Sequence, residues 1–323
     1  MKKKVCQAAG ILALACATAA ATAAWPDKPV QVVVPYNPGG GVDTFTRPVA
    51  AKLGEELGQT VVVDNRPGAG GTIGVQRAAT APPDGYHLLA GGVHQMMAEG
   101  LYPNRGYDMD RDFVPVALVA KVPNVLVVTN KAPFRNVEEL IAYARKNPGK
   151  LNYCSSGSGT AQHIVAATFS QLAGVSMTHI PYRGTAPAMQ DLIGGQCDLM
   201  FDGLGTSAPQ VRTGKIRLLA VTSNARSPAF PDAPTLKEAG GPAMDASIWY
   251  AWWAPAGTPA DVLARLRAGI AQSSLQAPAV LEAWRSQGAE VPPAMEPAAL
   301  QDYVRAENQR WQKAVRELGI KIG

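Results

Sequence analysis

Short runs of β-branched residues alternate along this chain with segments whose apolar positions recur every three or four residues. Residues 31–34 read Gln-Val-Val-Val, an apolar run suited to a strand that is buried on both faces. In residues 45–57, Val49, Leu53 and Leu57 are spaced by four, which predicts a helix with one buried face. Repetition of this order predicts an α/β fold with mainly parallel sheets flanked by helices.

The remaining predicted elements fall into two series. Further strands are predicted at residues 60–63, 86–90, 125–128, 151–154, 177–181, 198–201, 217–221 and 248–253. Helices are predicted at residues 163–172 and 186–193, and further helices are predicted to begin at Asn136, Thr235, Thr258 and Pro297. Asn136 and Thr235 each have a glutamate three residues later, which is the capping-box pattern.

The two series predict two lobes that are joined by two crossings. The last helix carries Leu300, Val304, Trp311 and Val315 along one apolar stripe. We expect the terminal helices to cover the first sheet, because that sheet would otherwise remain exposed. Residues 25–123 together with 248–323 are therefore expected to form the first lobe, and residues 124–247 the second.

The first 24 residues have the pattern of a secretory signal, with three lysines at positions 2–4, an uncharged stretch, and small residues before a cleavage point near Ala23 or Ala24. Cleavage there would release an exported mature protein. A lipoprotein cut before Cys16 is the less favoured alternative, because the preceding residues match a lipobox only loosely. A permanent membrane anchor is disfavoured because the stretch is mostly alanine.

The net charge and the cysteine content limit the kinds of partner and the covalent bonds to be expected. The net charge of +5 falls to +2 without the three lysines of the signal, and no basic run with interleaved aromatic residues is present. Nucleic acid is therefore not expected as a partner. Cys154 and Cys197 remain in the mature chain, where an oxidising compartment permits a disulfide. We expect two separate small buried residues instead.

Three consecutive glycines follow the first predicted strand, within Pro38-Gly39-Gly40-Gly41-Val42-Asp43. Glycine lets the backbone approach a ligand closely, and the next helix offers unpaired N–H groups and the positive end of its dipole. This arrangement suits a carboxylate. The alternative is a tight turn in which Asp43 or Thr44 caps the helix.

A second loop has the same place in the other lobe. Ser155-Ser156-Gly157-Ser158-Gly159-Thr160 separates a predicted strand from a predicted helix, and hydroxyl groups can bind an anion without adding charge. Capping and turn formation are the alternative. Ligands of open α/β sheets bind at the carboxyl ends of the strands, so the two loops predict a clamp.

The other motifs favour no cofactor and no catalysis. Residues 64–74 partly resemble a dinucleotide fingerprint, but the glycine spacing differs and the later acidic residue is missing, so we expect a structural turn. The four histidines lack metal-ligand spacing, and Ser158 lacks the nucleophile-elbow pattern. A secreted hydrolase that uses Ser158 and His163 is therefore a remote alternative to a non-enzyme.

Nine segments in order resemble one family, the solute receptors of the tripartite tricarboxylate transporters, also called the Bug family. They are Trp25-Pro26-Asp27-Lys28-Pro29-Val30, the Pro38–Asp43 turn, Asn65-Arg66-Pro67-Gly68-Ala69-Gly70-Gly71, Pro83-Asp84-Gly85-Tyr86, Ser156-Gly157-Ser158-Gly159-Thr160, Pro181-Tyr182-Arg183-Gly184, Asp191-Leu192-Ile193-Gly194-Gly195-Gln196, Pro234-Thr235-Leu236-Lys237-Glu238-Ala239-Gly240 and Ala254-Pro255-Ala256-Gly257-Thr258-Pro259.

The resemblance implies a two-lobed periplasmic-binding-protein fold of the Venus-flytrap type, without a cofactor or metal. It implies a periplasmic receptor that hands a small carboxylated solute to membrane permease subunits, and we expect this receptor to be a monomer. The implied ligand-binding residues are Tyr36, Gly40, Gly41, Asp43, Ser155, Ser156, Gly159, Thr160, Tyr182, Gly184, Thr185 and Asp202. Arg183, where the family often has lysine, is a candidate for a distal carboxylate of the ligand.

Two matters stay open in the sequence. The same closed receptor could present its ligand to a sensor kinase instead of a permease. Receptors of this family take tricarboxylates, dicarboxylates, amino acids or aromatic acids, so the resemblance implies a small carboxylate without identifying it. For an aromatic acid, the candidate lining residues are Tyr36, His94, Met96, Trp249 and Trp252, although an aromatic strand more often belongs to the core.

Overall fold

The computed structural model describes residues 25–319, apart from the side chains of residues 272 and 273. The predicted signal and its Cys16 alternative lie outside the described residues. Within residues 25–319, no helix has the length and apolar character that crossing a membrane requires.

The first sheet is built from β1 (Val30–Val34), β2 (Val61–Asn65), β3 (His87–Gly92), β4 (Phe113–Val122) and β10 (Ile248–Pro255). Its strand order is β2-β1-β3-β10-β4. The strands β2, β1 and β3 are parallel, whereas β10 is antiparallel to both of its neighbours. β1 consists of four valines and Gln31, and its valines are buried on both faces of the sheet.

The second sheet repeats this design with β5 (Asn124–Thr129), β6 (Asn152–Ser155), β7 (Thr178–Pro181), β8 (Leu199–Gly203) and β9 (Ile216–Val221). Its strand order is β7-β6-β8-β5-β9, and β5 is antiparallel to both neighbours. The antiparallel strand of each sheet is the first one after the chain crosses from the other sheet: β5 follows β4 of the first sheet, and β10 follows β9 of the second.

Helices cover both sheets. They are α1 (Gly41–Leu57), α2 (Thr72–Ala79), α3 (Val93–Leu101), α4 (Met109–Asp112), α5 (Val137–Lys146), α6 (Ala161–Ala173), α7 (Thr185–Gly194), α8 (Leu204–Arg212), α9 (Ala260–Ala268), α10 (Pro278–Ser286) and α11 (Pro297–Glu317). Ala69–Gly71 forms a 3₁₀ turn before α2, and Gly269–Ser274 forms a π-helical segment after α9.

The terminal helix α11 packs against α3 and β4 of the first sheet. Its buried stripe includes the four predicted residues and adds Asn308. The buried Glu99 carboxylate of α3 accepts hydrogen bonds from the Asn308 and Gln312 side chains, at 2.9 and 3.0 Å. It also forms an ion pair with Arg105. The exact lobe boundaries at residues 123/124 and 247/248 stay a prediction.

Three local expectations need correction. Helix α1 begins at Gly41, not at residue 45, and its N-cap is Gly40 instead of Asp43 or Thr44. Thr235 and Glu238 do exchange capping-box hydrogen bonds, but only turns follow, because Gly240 and Gly241 stop the helix before it forms. Helix α9 begins at Ala260, and the Thr258 hydroxyl bonds to the Pro255 carbonyl instead of capping the helix.

The expectation of two separate cysteines was wrong: Cys154 and Cys197 form a disulfide. Cys154 lies in β6 and Cys197 lies just before β8, which pairs with β6. This pairing brings their Cα atoms to 6.1 Å, which is within the range for a disulfide.

Candidate ligand-binding site

A cleft of about 760 Å³ lies between the two sheets and is lined by both. Nine of the thirteen residues expected at a site line it: Tyr36, Gly40, Gly41, Ser156, Thr160, Arg183, Gly184, Thr185 and Asp202. Asp43, Ser155, Gly159 and Tyr182 are not part of the lining. The glycine-rich turn of residues 67–71, which we expected to be structural only, lines the cleft as well.

Asp43 holds the glycine turn in place. Its carboxylate accepts hydrogen bonds from the Gly39 amide at 2.9 Å, from Asn65 Nδ2 at 2.9 Å, and from two nitrogens of Arg47 at 2.8 Å each. Burial would raise the pKa of this carboxyl, but the bonds from Arg47, Gly39 and Asn65 outweigh it and lower the pKa. Asp43 is therefore a charged anchor beneath the turn.

The second loop also holds itself together through internal bonds. The Ser155 hydroxyl bonds within the loop to Gly157 and, at 2.6 Å, to His179 Nε2. The Gly159 amide donates to His163 Nδ1 at 3.0 Å, and the Thr160 hydroxyl donates to the Gly157 carbonyl at 2.7 Å. These bonds fix the loop so that Ser156 and Thr160 line the cleft.

Gln162 links this loop to the buried Asp202, and no sequence pattern identified this residue as part of the site. Its side-chain oxygen accepts from the Ser156 amide, and its Nε2 donates to Asp202 Oδ1 at 2.6 Å. Asp202 also accepts from the hydroxyl of Thr206 and, at 2.7 Å, from that of Ser207. Burial raises the pKa of Asp202 above its ordinary value although these donors oppose the shift.

Several helices of both lobes begin at the cleft. Helices α1, α2 and α3 of the first lobe and helices α6, α7 and α8 of the second have one of their first two residues, or the residue just before them, in the lining. The first-turn N–H groups of a helix have no partner within the helix, and the dipole makes this end positive. An anion in the cleft would therefore meet favourable backbone groups from both lobes.

Among the described residues, the charged side chains in the lining are Arg183 and Asp202, and both lie on the second lobe's side of the cleft. Arg183 is exposed and has no ion pair among the described residues. On the first lobe's side, burial lowers the pKa of His94 to about 4, so this imidazole is neutral at pH 7.

The residues of the remote hydrolase alternative do not form a catalytic pair. Ser158 is exposed, and within residues 25–319 no hydrogen bond joins it to His163. His163 instead stacks on His179 with ring centroids 3.8 Å apart, and Tyr153 stacks on His179. We call His163 and His179 the stacked histidine pair. In the same described part of the chain, no three His, Cys, Asp or Glu residues are grouped to hold a metal ion.

The sequence matches the model of the tripartite tricarboxylate transporter family receptor over residues 45–320. The chain belongs to this family. The receptor is 41% identical over 295 residues to a protein of the tcbD-tcbE intergenic region of Pseudomonas sp. strain P51, covering 91% of this chain and 87% of that protein. It is 37% identical over 300 residues to protein BugT of Bordetella pertussis, covering 92% and 91%.

Solved structures confirm the two-lobed periplasmic-binding-protein fold of the receptor. Rpa4515 of R. palustris with adipate is 37% identical with a TM-score of 0.86, covering 92% of this chain and 99% of that one. MatC of Rhodopseudomonas palustris with bound malate is 34% identical with a TM-score of 0.83, covering 90% and 100%. The family and the fold class expected from the sequence are both confirmed.

Proposed function

We propose that this receptor binds a small carboxylated solute in the cleft and delivers it to the membrane permease subunits of a tripartite tricarboxylate-type transporter. The observation that carries this proposal is the convergence of the N-termini of α1, α6 and α7, from both lobes, on one cleft. Arg183 adds a cation at the same side as α7. The adipate and malate of the related structures are carboxylates, which agrees with this chemistry.

Binding would be coupled to closure of the lobes. The glycine turn before α1 lies on one lobe and the loop before α6 on the other, so a carboxylate engages both only when the lobes come together. A ligand that contacts only the closed form shifts the population toward that form. The permease would then recognise the closed receptor.

The compartment and the assembly state belong to the same proposal. Export by the signal of residues 1–24 would place a monomeric receptor in the periplasm, where the Cys154–Cys197 disulfide can form and persist. Affinity capture on the purified receptor should retain permease subunits. Retention of a sensor kinase in their place would favour the signalling role.

The test of carboxylate binding compares matched ligands and variants by titration calorimetry. Carboxylates should bind, and the corresponding amides should bind about 100-fold more weakly or not at all, since the helix N-termini favour a negative charge. Arg183→Gln should weaken carboxylate binding about tenfold. Thr168 lies on α6 and is not part of the cleft lining, so the Thr168→Ala variant is the control and should bind carboxylates like the wild type.

Equal affinity for a carboxylate and its amide would contradict the proposal. An Arg183→Gln variant that binds carboxylates as tightly as the Thr168→Ala control would contradict the contribution of Arg183 and leave the helix N-termini as the proposed carboxylate site.

A further inference from the structure

Four aromatic rings line the first lobe's side of the cleft in an unbroken row, which we call the aromatic wall: Phe45, Tyr250, His94 and Tyr36. The Phe45 and Tyr250 rings are stacked with centroids 4.9 Å apart, Tyr250 and His94 are stacked at 6.4 Å, and His94 and Tyr36 are tilted at 5.4 Å. They come from α1, β10, α3 and the loop after β1, so the wall exists only in the folded lobe.

The wall is held rigidly from behind. Phe45 and Tyr250 are only 2% and 5% exposed, and the Trp284 ring packs edge-on against Phe45 at 5.0 Å. A Cβ atom at Gly71 would lie 2.8 Å from the Tyr36 ring, so the glycine there allows the ring to lie against the turn of residues 67–71. A preformed aromatic surface costs little ordering when a ligand binds.

Among the described residues, no ionised group lines the cleft from this side. The first lobe's part of the lining comes from residues 35–42, 44, 45, 67–71, 94, 122, 248, 250 and 287, and it contains no Asp, Glu, Lys or Arg. Burial also raises the pKa of the Tyr36 and Tyr250 hydroxyls, so both are neutral. A second carboxylate placed against this wall would lose its hydration without gaining a cation.

One polar atom on the wall lacks a partner. His94 Nδ1 is buried and has no hydrogen bond within the described residues. A neutral imidazole nitrogen is either a donor or an acceptor, and a buried one without a partner costs free energy. An uncharged polar substituent of a ligand, such as a hydroxyl, would satisfy it.

We propose that the aromatic wall is a subsite for an uncharged ring, so that the substrate is an aromatic monocarboxylate and not a dicarboxylate. The carboxylate would be held by the helix N-termini and Arg183, and the ring would stack on Tyr36 and His94. A ring hydroxyl would pair with the buried His94 Nδ1 when the imidazole turns toward the cleft. This proposal rests on the proposed function and adds to it the class of the ligand. A cleft of about 760 Å³ has room for such a molecule.

Titration calorimetry on the receptor with benzoate, 3- and 4-hydroxybenzoate, benzamide, adipate and malate tests the subsite. The aromatic monocarboxylates should bind roughly tenfold or more tightly than adipate and malate, since one favourable aromatic contact is of this order. One hydroxybenzoate should exceed benzoate roughly fivefold because it pairs with His94.

Two variants separate the ring from the polar atom. His94→Phe keeps a ring and removes Nδ1, so it should abolish the advantage of the hydroxybenzoate and leave benzoate unchanged. Tyr36→Leu should weaken all aromatic acids roughly tenfold. His87→Asn, in β3 and not part of the lining, is the control. Should His94→Phe not fold, the Tyr36→Leu result decides.

Tighter binding of adipate or malate than of benzoate would overturn the subsite and leave the proposed function standing. Unchanged affinity of Tyr36→Leu for aromatic acids would overturn it too. Failure of the proposed function would give a different result. Benzamide would then bind as tightly as benzoate, and the preference for an aromatic ring would remain.

Discussion

The absence of a side chain at Gly41 allows Tyr250 to pack against α1, and a single substitution can measure how much stability this contributes. A Cβ atom at this position would lie 2.1 Å from Tyr250 Oη and 3.0 Å from Cζ, whereas ordinary van der Waals contact begins at 3.4 Å. Gly41→Ala would therefore displace the tyrosine hydroxyl by more than 1 Å. Tyr250 is only 5% exposed and stacks on Phe45, so it has little room to move.

We expect Gly41→Ala to lower the free energy of unfolding by about 1–3 kcal/mol, the usual cost of overpacking. Thermal unfolding of the ligand-free protein measures it, because about 1 kcal/mol shifts the midpoint by about 2–4 °C in proteins somewhat smaller than this one. Gly40→Ala is the matched control. Its nearest neighbour is the Asn37 carbonyl at 3.5 Å and its φ is −76°, so no clash arises, and the loss of a glycine N-cap should cost less than about 1 kcal/mol.

A double-mutant cycle identifies the atom responsible. Tyr250→Phe removes Oη and leaves Cζ, at 3.0 Å, as the nearest atom. Gly41→Ala should therefore cost about 1 kcal/mol less in the Tyr250→Phe background than in the wild type. Equal unfolding midpoints for Gly41→Ala and Gly40→Ala, or an additive cycle, would refute the reasoning.

Three further predictions concern the second lobe. Replacing Cys154 and Cys197 together by alanine should lower the free energy of unfolding by up to about 4 kcal/mol, because the bond closes a loop with a sequence separation of 43; equal denaturant midpoints would contradict this. Gln162→Leu should cost about 1–3 kcal/mol by removing a partner of Asp202, whereas Gln171→Leu on the exposed face of α6 should be nearly neutral in the same denaturation assay. Burial lowers the pKa of both imidazoles of the stacked histidine pair to about 4, so the unfolded chain takes up protons first as the pH falls. The free energy of unfolding should therefore decline from about pH 6.5 to about pH 4, and the pair should not affect it above about pH 7. A free energy of unfolding that stays constant across this acidic range would argue against the burial.

Local sequence patterns predicted much of the framework. The valine run of β1, the Asn136 cap of α5 and the apolar stripe of α11 were all recognisable, because each depends on the residue's own conformational preference or on a period of a few residues. The two loops of the clamp were also identified as candidates, since glycines and hydroxyls between a strand and a helix are a local signal.

Other elements were missed because their pattern is weak. Helices α2, α3 and α8 contain glycine or proline, and α3 and α8 follow a strand directly, so no clear period marks them. Thr235 and Glu238 show the opposite case, in which the capping bonds form and the helix does not. A local signal specifies local hydrogen bonds and not the length of the element that follows.

The sequence by itself determined the fold class and identified the two loops, and it predicted an anionic ligand, because these inferences depend on neighbouring residues. Only the tertiary structure decided which side chains face the cleft. It placed Asp43 beneath the turn, joined Cys154 to Cys197, and brought Tyr250 from β10 against Gly41 of α1. It also buried Trp249, Trp252 and Met96 in the core and left Tyr36 and His94 at the cleft, since strand pairing and helix packing between distant segments fix the direction of each side chain.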